Sequence, residues 1–115
     1  MRMSWEDHRS GTVLTIEGEF VSEDMDVFRR RCEDRLVPGV RWIMDLRSLE
    51  RIDSSGIESL LWLSESVQRS GGQLRVVGGE GQPAAALHVT RVEYRLAVHP
   101  SLESAARSFA RGQAA

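Results

Sequence analysis

Residues 40–46, Val-Arg-Trp-Ile-Met-Asp-Leu, constrain the fold more than any other stretch of this chain. The run is almost continuously apolar and follows the turn formers Pro38 and Gly39. A strand with one wet face alternates apolar and polar residues, whereas one covered on both faces has no such need. The run therefore predicts a strand buried on both sides of a mainly parallel sheet with helices packed against it.

The rest of the chain supplies those layers. Val13, Leu14 and Ile16 lie in a β-branched run that ends at Gly18, and residues 3–8 can pair with it through a turn at Ser10-Gly11. From Ser22 an acid-rich opening leads to Met25, Phe28, Cys32 and Leu36, spaced three or four apart until Pro38, which predicts a helix. Further on, Ile57, Leu60, Leu61, Ser64 and Val67 share one helical face, with Glu58, Trp62, Glu65 and Arg69 on another. Ser70-Gly71-Gly72 ends that helix. Strands are predicted at 73–78 and 94–99, a short helix around Pro83, and a terminal helix after Pro100-Ser101 carrying Leu102, Ala105, Ala106 and Phe109. The expected fold is α/β, with a mixed, mainly parallel sheet of four to five strands and about four helices. One domain over 1–110 and a flexible tail at 111–115 complete the expectation, with no internal repeat.

Composition removes several functions. The 115 residues, 41% hydrophobic and 28% charged, suit one soluble domain with one core. A formal net charge of −2 argues against nucleic acid as a direct partner. No apolar run is long enough to span a bilayer and the first ten residues are too polar for a signal peptide, so no membrane insertion and a cytoplasmic location are expected. All 15 basic residues are arginine, which excludes a P-loop lysine, a Schiff base and a Ser-Lys pair. Cys32 is the only cysteine, so no intrachain disulfide forms. His8, His88 and His99 lack metal-ligand spacing. A hydrolase built from Ser55 and His99 would lack the Gly-x-Ser-x-Gly elbow, and "GGEG" at 78–81 reads as a strand-to-helix turn. The arginines 29–31 and Arg35 read as a solvated helix face. No catalytic residue, metal or cofactor is expected, and the chain is not expected to be an enzyme.

What composition leaves standing is Asp53-Ser54-Ser55-Gly56, at the junction of a strand and an amphipathic helix. One Asp or Ser suffices to cap a helix, so a second hydroxyl needs its own explanation. Two readings are open: a plain turn and cap, or a serine whose phosphorylation would meet the first-turn amides and the negative Asp53. Trp62 is likewise open, either a partner anchor on the face with Glu58 and Glu65 or a ring packed beneath a neighbouring element.

The segment "RWIMDLRSLERIDSSGIESLLWLSESVQRSGGQLRVVG" resembles the central block of STAS domains of the bacterial anti-sigma factor antagonist type. The flanking "IEGEF" is similar to that family's Gly-Glu-Leu segment, and "VHPSLESA" to its closing strand and helix. The resemblance implies a STAS-type fold and a domain that switches partners. By position, the phosphorylated serine would be Ser55, with Asp53 and Ser54 shaping the contact; Gly56, Glu58 and, on the anchor reading, Trp62 are expected to complete the partner-binding set. The implied partners are a serine-kinase anti-sigma factor, bound by the unphosphorylated form so that a sigma factor is released, and a PP2C-type phosphatase that resets the switch. A monomer or weak dimer is expected. Val21 stands where the family commonly has Asp, and Arg91 where a Leu-Thr-Gly pattern would place glycine. Those two positions, together with the candidate anchor Trp62, motivate the alternative, a non-switching STAS scaffold in a signalling assembly or transport complex.

Overall fold

The structure, a computed structural model, describes residues 1–114, with side-chain surroundings for residues 1–109. In chain order the elements are β1 (Arg2–His8), β2 (Gly11–Phe20), α1 (Met25–Arg35), β3 (Arg41–Asp45), β4 (Leu49–Ile52), α2 (Ser54–Arg69), β5 (Gln73–Val77), α3 (Gly81–Val89), β6 (Val98–His99) and α4 (Leu102–Ala114). β3 shows why residues 40–46 are almost continuously apolar. Trp42 and Met44 join a large cluster with Leu14, Ile16, Phe28, Leu60 and Leu63, under α1, α2 and α3. Ile43 joins a smaller cluster with Val77, Ala105 and Phe109, under α4. Helices thus cover both faces of this strand, the condition for a run without alternation.

The sheet order is β1-β2-β3-β5-β6. β2, β3, β5 and β6 run parallel, with Leu14 opposite Met44, Met44 opposite Val76 and Val76 opposite Val98. β1 folds back antiparallel on β2, placing Trp5 opposite Leu14 and edge-on to Trp42 at a centroid distance of 5.1 Å. The α/β class, the mainly parallel sheet and the four helices agree with expectation.

Four details differ from the sequence-based expectation. A short strand, β4, occupies residues 49–52 and pairs in parallel with the end of β2, Phe20 opposite Ile52, across an irregularity at Gly18 and Glu19. The strand expected at 94–99 is only Val98–His99, because residues 92–96 coil instead: Val92–Tyr94 form a 3-10 turn and Leu96 N–H donates to Val92 O at 3.1 Å. That coil sends Leu96 into the main cluster, so the alternation of Leu96 and Val98 mimics a strand that does not form. The buried face of α2 also turns slightly from the expected one. Ile57, Leu60 and Val67 are buried as predicted, but Ser59 and Leu63 replace Leu61 and Ser64, which are half-buried. At the C-terminus, α4 continues through 111–114, part of the expected tail, and residue 115 lies outside the described residues.

Candidate functional site

β4 ends at Ile52 and α2 begins at Ser54, so Asp53 alone makes the corner, in extended backbone at φ −108° and ψ −176°. Its side chain does two things there. Oδ1 accepts the Gly56 N–H at 3.0 Å, the bond of an N-cap. Oδ2 accepts the Ser22 N–H at 3.1 Å, which ties the start of α2 to the connection between β2 and α1. Asp53 is therefore the cap. Ser54 is exposed and Ser55 half-buried, and neither hydroxyl hydrogen-bonds another described residue.

Gly56 is buried for a steric reason. A Cβ at this position would collide with the Phe20 carbonyl oxygen and the Ile52 side chain, so the first turn of α2 lies directly on the paired ends of β2 and β4. Gln82 of α3 completes the seat, accepting from Ile52 N–H at 2.8 Å and donating to Ile52 O at 2.9 Å on the open side of β4. Beside Ser22, Asp24 Oδ2 accepts the Val21 N–H at 3.4 Å, and the Met1 amino group lies 4.0 Å from the other Asp24 oxygen. The two serines thus stand on a floor built from β2, β4, α2 and α3.

Electrostatically, the first turn of α2 contains no acid, and the first amides of a helix together with its dipole present positive charge. A phosphoryl group on a serine here would meet those donors on one side and the Asp53 carboxylate on the other. Glu58 is exposed, one turn beyond Ser54. Trp62 is half-buried, its ring edge-to-face with Phe28 at 6.4 Å and its face under the Arg29 guanidinium at 5.1 Å. Packing against α1 accounts for this ring without a partner protein. Arg35 similarly covers Trp5 at 4.6 Å, so two of the arginines read as a solvated face instead roof aromatic rings.

The other candidates separate. A crevice of about 480 Å³ opens at the carboxyl ends of β3, β5 and β6, lined by Arg47, Gly78, Gly79, Glu80, Val98, His99 and Pro100. Arg47 is committed to Asp45, with Nε and Nη2 at 3.0 and 2.9 Å from its two oxygens. Burial alone would raise the Asp45 pKa, but the hydrogen bonds and charge of Arg47 prevail and hold it below the ordinary carboxylate value. The Gly78-Gly79 segment is the plain turn from β5 to α3. His99 sits on the strand at the far edge of the sheet from β4, with Nδ1 at 3.0 Å from Ser104 Oγ, so the topology keeps it away from Ser55. Among the described residues, no group of three His, Cys, Asp or Glu side chains is placed to hold a metal ion. No described helix is long and apolar enough to cross a membrane. Cys32 is buried, and that burial, with the nearby Glu33 charge, pushes its thiol up to about 12.

The STAS domain family matches residues 3–105. No curated protein sequence matches the chain. Among solved structures, an anti-sigma factor antagonist from Mycobacterium paratuberculosis is similar at 20% identity and a TM-score of 0.81, over 94% of this chain and 92% of that one. SpoIIAA, an anti-sigma factor antagonist solved in its unphosphorylated form, is similar at 15% identity and 0.69, over 96% and 99%. A sulfate transporter family protein from Wolinella succinogenes is similar at 19% identity and 0.73, over 90% of each. At these identities the likeness is one of fold, and it extends to antagonists and transporter-associated proteins alike.

Proposed function

The chain belongs to the STAS domain family, and on that premise we propose that it is a phosphorylation-controlled anti-sigma factor antagonist. In this reading the unphosphorylated domain binds a serine-kinase anti-sigma factor and so releases a sigma factor. The kinase transfers a phosphoryl group to Ser55, the complex dissociates, and a PP2C-type phosphatase removes the group. ATP belongs to the kinase, and the domain itself is substrate and binder, acting in the cytoplasm.

The observation that carries this reading is the division of labour at α2. Asp53 makes the cap through Gly56 N–H and holds Ser22 as well, which leaves both serine hydroxyls uncommitted at the positive end of a helix. A serine retained only for capping would have its oxygen on a first-turn amide. Asp53, Ser54, Gly56 and Glu58 form the surroundings that a partner would read together with Ser55. Trp62 supports that surface from below through its contact with Phe28.

The test is phosphopeptide mass spectrometry on the protein isolated from its own cells, on the tryptic peptide that starts at Ile52. Phosphate on Ser55 is expected under some growth or stress conditions. In binding assays with the anti-sigma partner, Ser55→Asp is expected to weaken the complex roughly tenfold or more, since it places charge in the contact without matching donors, while Ser55→Ala binds constitutively. A peptide that is unmodified under every condition, with equal binding by Ser55→Asp and wild type, would favour the non-switching scaffold suggested by Val21 and Arg91.

A further inference from the structure

The end of α3 carries a surface that the Ser55 site does not use. Gln82, which touches β4, and Val89 are separated by about 10 Å along the helix axis. Just beyond Val89, Arg91 has φ 60° and ψ 15°, and no other non-glycine residue described has a positive φ. The backbone performs the turn that a helix-ending glycine performs: Arg91 N–H donates to His88 O at 3.0 Å, and Tyr94 N–H to Arg91 O at 3.2 Å. Glycine adopts this conformation without strain, whereas a residue with a Cβ does not. A strained backbone kept under a long cationic side chain points to a use for the side chain.

The surroundings say what that use is. The Arg91 side chain is exposed, and its guanidinium makes no ion pair or hydrogen bond with any described residue. His88, Val89, Arg91 and Tyr94 line a hollow of about 320 Å³. Val89 and Tyr94 are 78% and 74% exposed, more than any other large hydrophobic residue described. The nearby Glu93 carboxylate lies 2.6 Å from His88 Nδ1 and makes no ion pair with Arg91. An unpaired planar donor fork beside an exposed tyrosine and an aliphatic side chain is the composition of a protein-binding hot spot.

We propose that this hollow docks an acidic segment of a partner protein, with a carboxylate side chain held bidentately by Arg91 and a neighbouring apolar side chain packed on Tyr94 and Val89. A carboxylate is favoured over a nucleic-acid phosphate backbone because the positive charge here is one arginine, not a tract, on a chain of net charge −2. The contact stands apart from Ser55 and is independent of whether that serine is phosphorylated.

The test is an NMR titration of the ¹⁵N-labelled full chain with an acetylated peptide in which glutamates alternate with leucine and phenylalanine. Controls are the same peptide with glutamine for every glutamate, and an oligothymidylate. The acidic peptide is expected to move the amide signals of Val89, Arg91 and Tyr94, to bind about tenfold tighter than the glutamine control, and to weaken as salt rises. Arg91→Gly is expected to abolish the preference for the acidic peptide while raising Tm by about 2–6 °C, because the strain is relieved as the donor is lost. Tyr94→Ala is expected to weaken binding with the acidic preference intact. Equal binding of the two peptides, shifts confined to other residues, stronger shifts from the oligothymidylate, or a lower Tm in Arg91→Gly would each overturn the proposal.

Discussion

Asp53 holds the backbone amide of Ser22 across 31 positions of sequence, Oδ2 to N at 3.1 Å, while its other oxygen caps α2. One carboxylate therefore joins two segments beside Ser55, and the two bonds are separable by substitution. Asp53→Asn retains one acceptor for Gly56 but presents an amide donor to Ser22 N–H. Asp53→Ala loses both bonds. Asparagine is expected to keep most of the stability, and alanine to cost about 1–2 kcal/mol, the usual loss of a cap. Hydrogen exchange should quicken at Ser22 in both variants and at Gly56 only in the alanine variant. Unchanged exchange at Ser22 would show that the clamp has no energetic role.

Gly56 tests how closely α2 must sit on the strands. Alanine there meets a backbone oxygen, that of Phe20, which cannot rotate away as a flexible side chain would. Gly56→Ala is expected to destabilise by about 1–3 kcal/mol despite the better helix propensity of alanine, because overpacking outweighs propensity. Urea unfolding reads the effect. An alanine variant as stable as wild type would mean that the first turn of α2 has slack.

Much of this arrangement is written locally, and some of it is not. β3 is legible because a strand covered on both faces need not alternate and reads as a near-continuous apolar run, and α1 because Phe28 and Cys32 recur at helical spacing and are both buried. The candidate site is legible as a motif, since Asp53-Ser54-Ser55-Gly56 stands directly ahead of an amphipathic helix. β4 is not legible: Leu49 and Ile52 flank the exposed Glu50 and Arg51, a turn-like pattern, and the strand exists through its pairing with the end of β2 and with Gln82. The bond from Ser22 to Asp53 joins residues too far apart in sequence for any local spacing to report. Trp62 has the helical phase of Glu58 and Glu65, yet α1 crosses over that side and brings Phe28 and Arg29 onto the ring. Helix-on-helix contact is a tertiary event, and periodicity within one helix does not encode it.

The Asp45–Arg47 pair predicts a pH-dependent cost. Asp45 is 7% exposed, and without the guanidinium its carboxylate retains only the backbone N–H of residue 47, now 3.0 Å away. Because the Arg47 side chain is itself half exposed, Arg47→Ala is expected to cost about 1–2 kcal/mol at pH 7, less than a fully buried pair would. The Asp45 pKa is held below its ordinary value in the folded protein, so the pair contributes above the ordinary carboxylate range and loses its contribution as pH falls through the folded value. The deficit of Arg47→Ala should therefore shrink between pH 7 and pH 3, and vanish in an Asp45→Asn background. A deficit of equal size at both pH values would assign the loss to packing instead.

Cys32 gives the opposite slope at the other end of the pH scale. Burial, with a contribution from Glu33, pushes its thiol from the ordinary 9.0 up to about 12. Alkylation requires the thiolate, so iodoacetamide at pH 8 is expected to spare the native protein and to modify it at once in urea. For stability, the unfolded chain releases the thiol proton near pH 9 while the folded chain keeps it. The contribution is then complete below pH 9 and declines as pH rises from there toward 12, by a few kcal/mol in all, because each pH step of one between the two values costs about 1.4 kcal/mol. Urea unfolding of wild type and Cys32→Ala at pH 8, 9.5 and 10.5 isolates this part, since other titrating groups are common to both proteins. The alanine variant should start less stable, because it leaves a cavity, and converge on wild type as the pH rises. Parallel curves for the two proteins would show that the thiol is able to ionise within the fold.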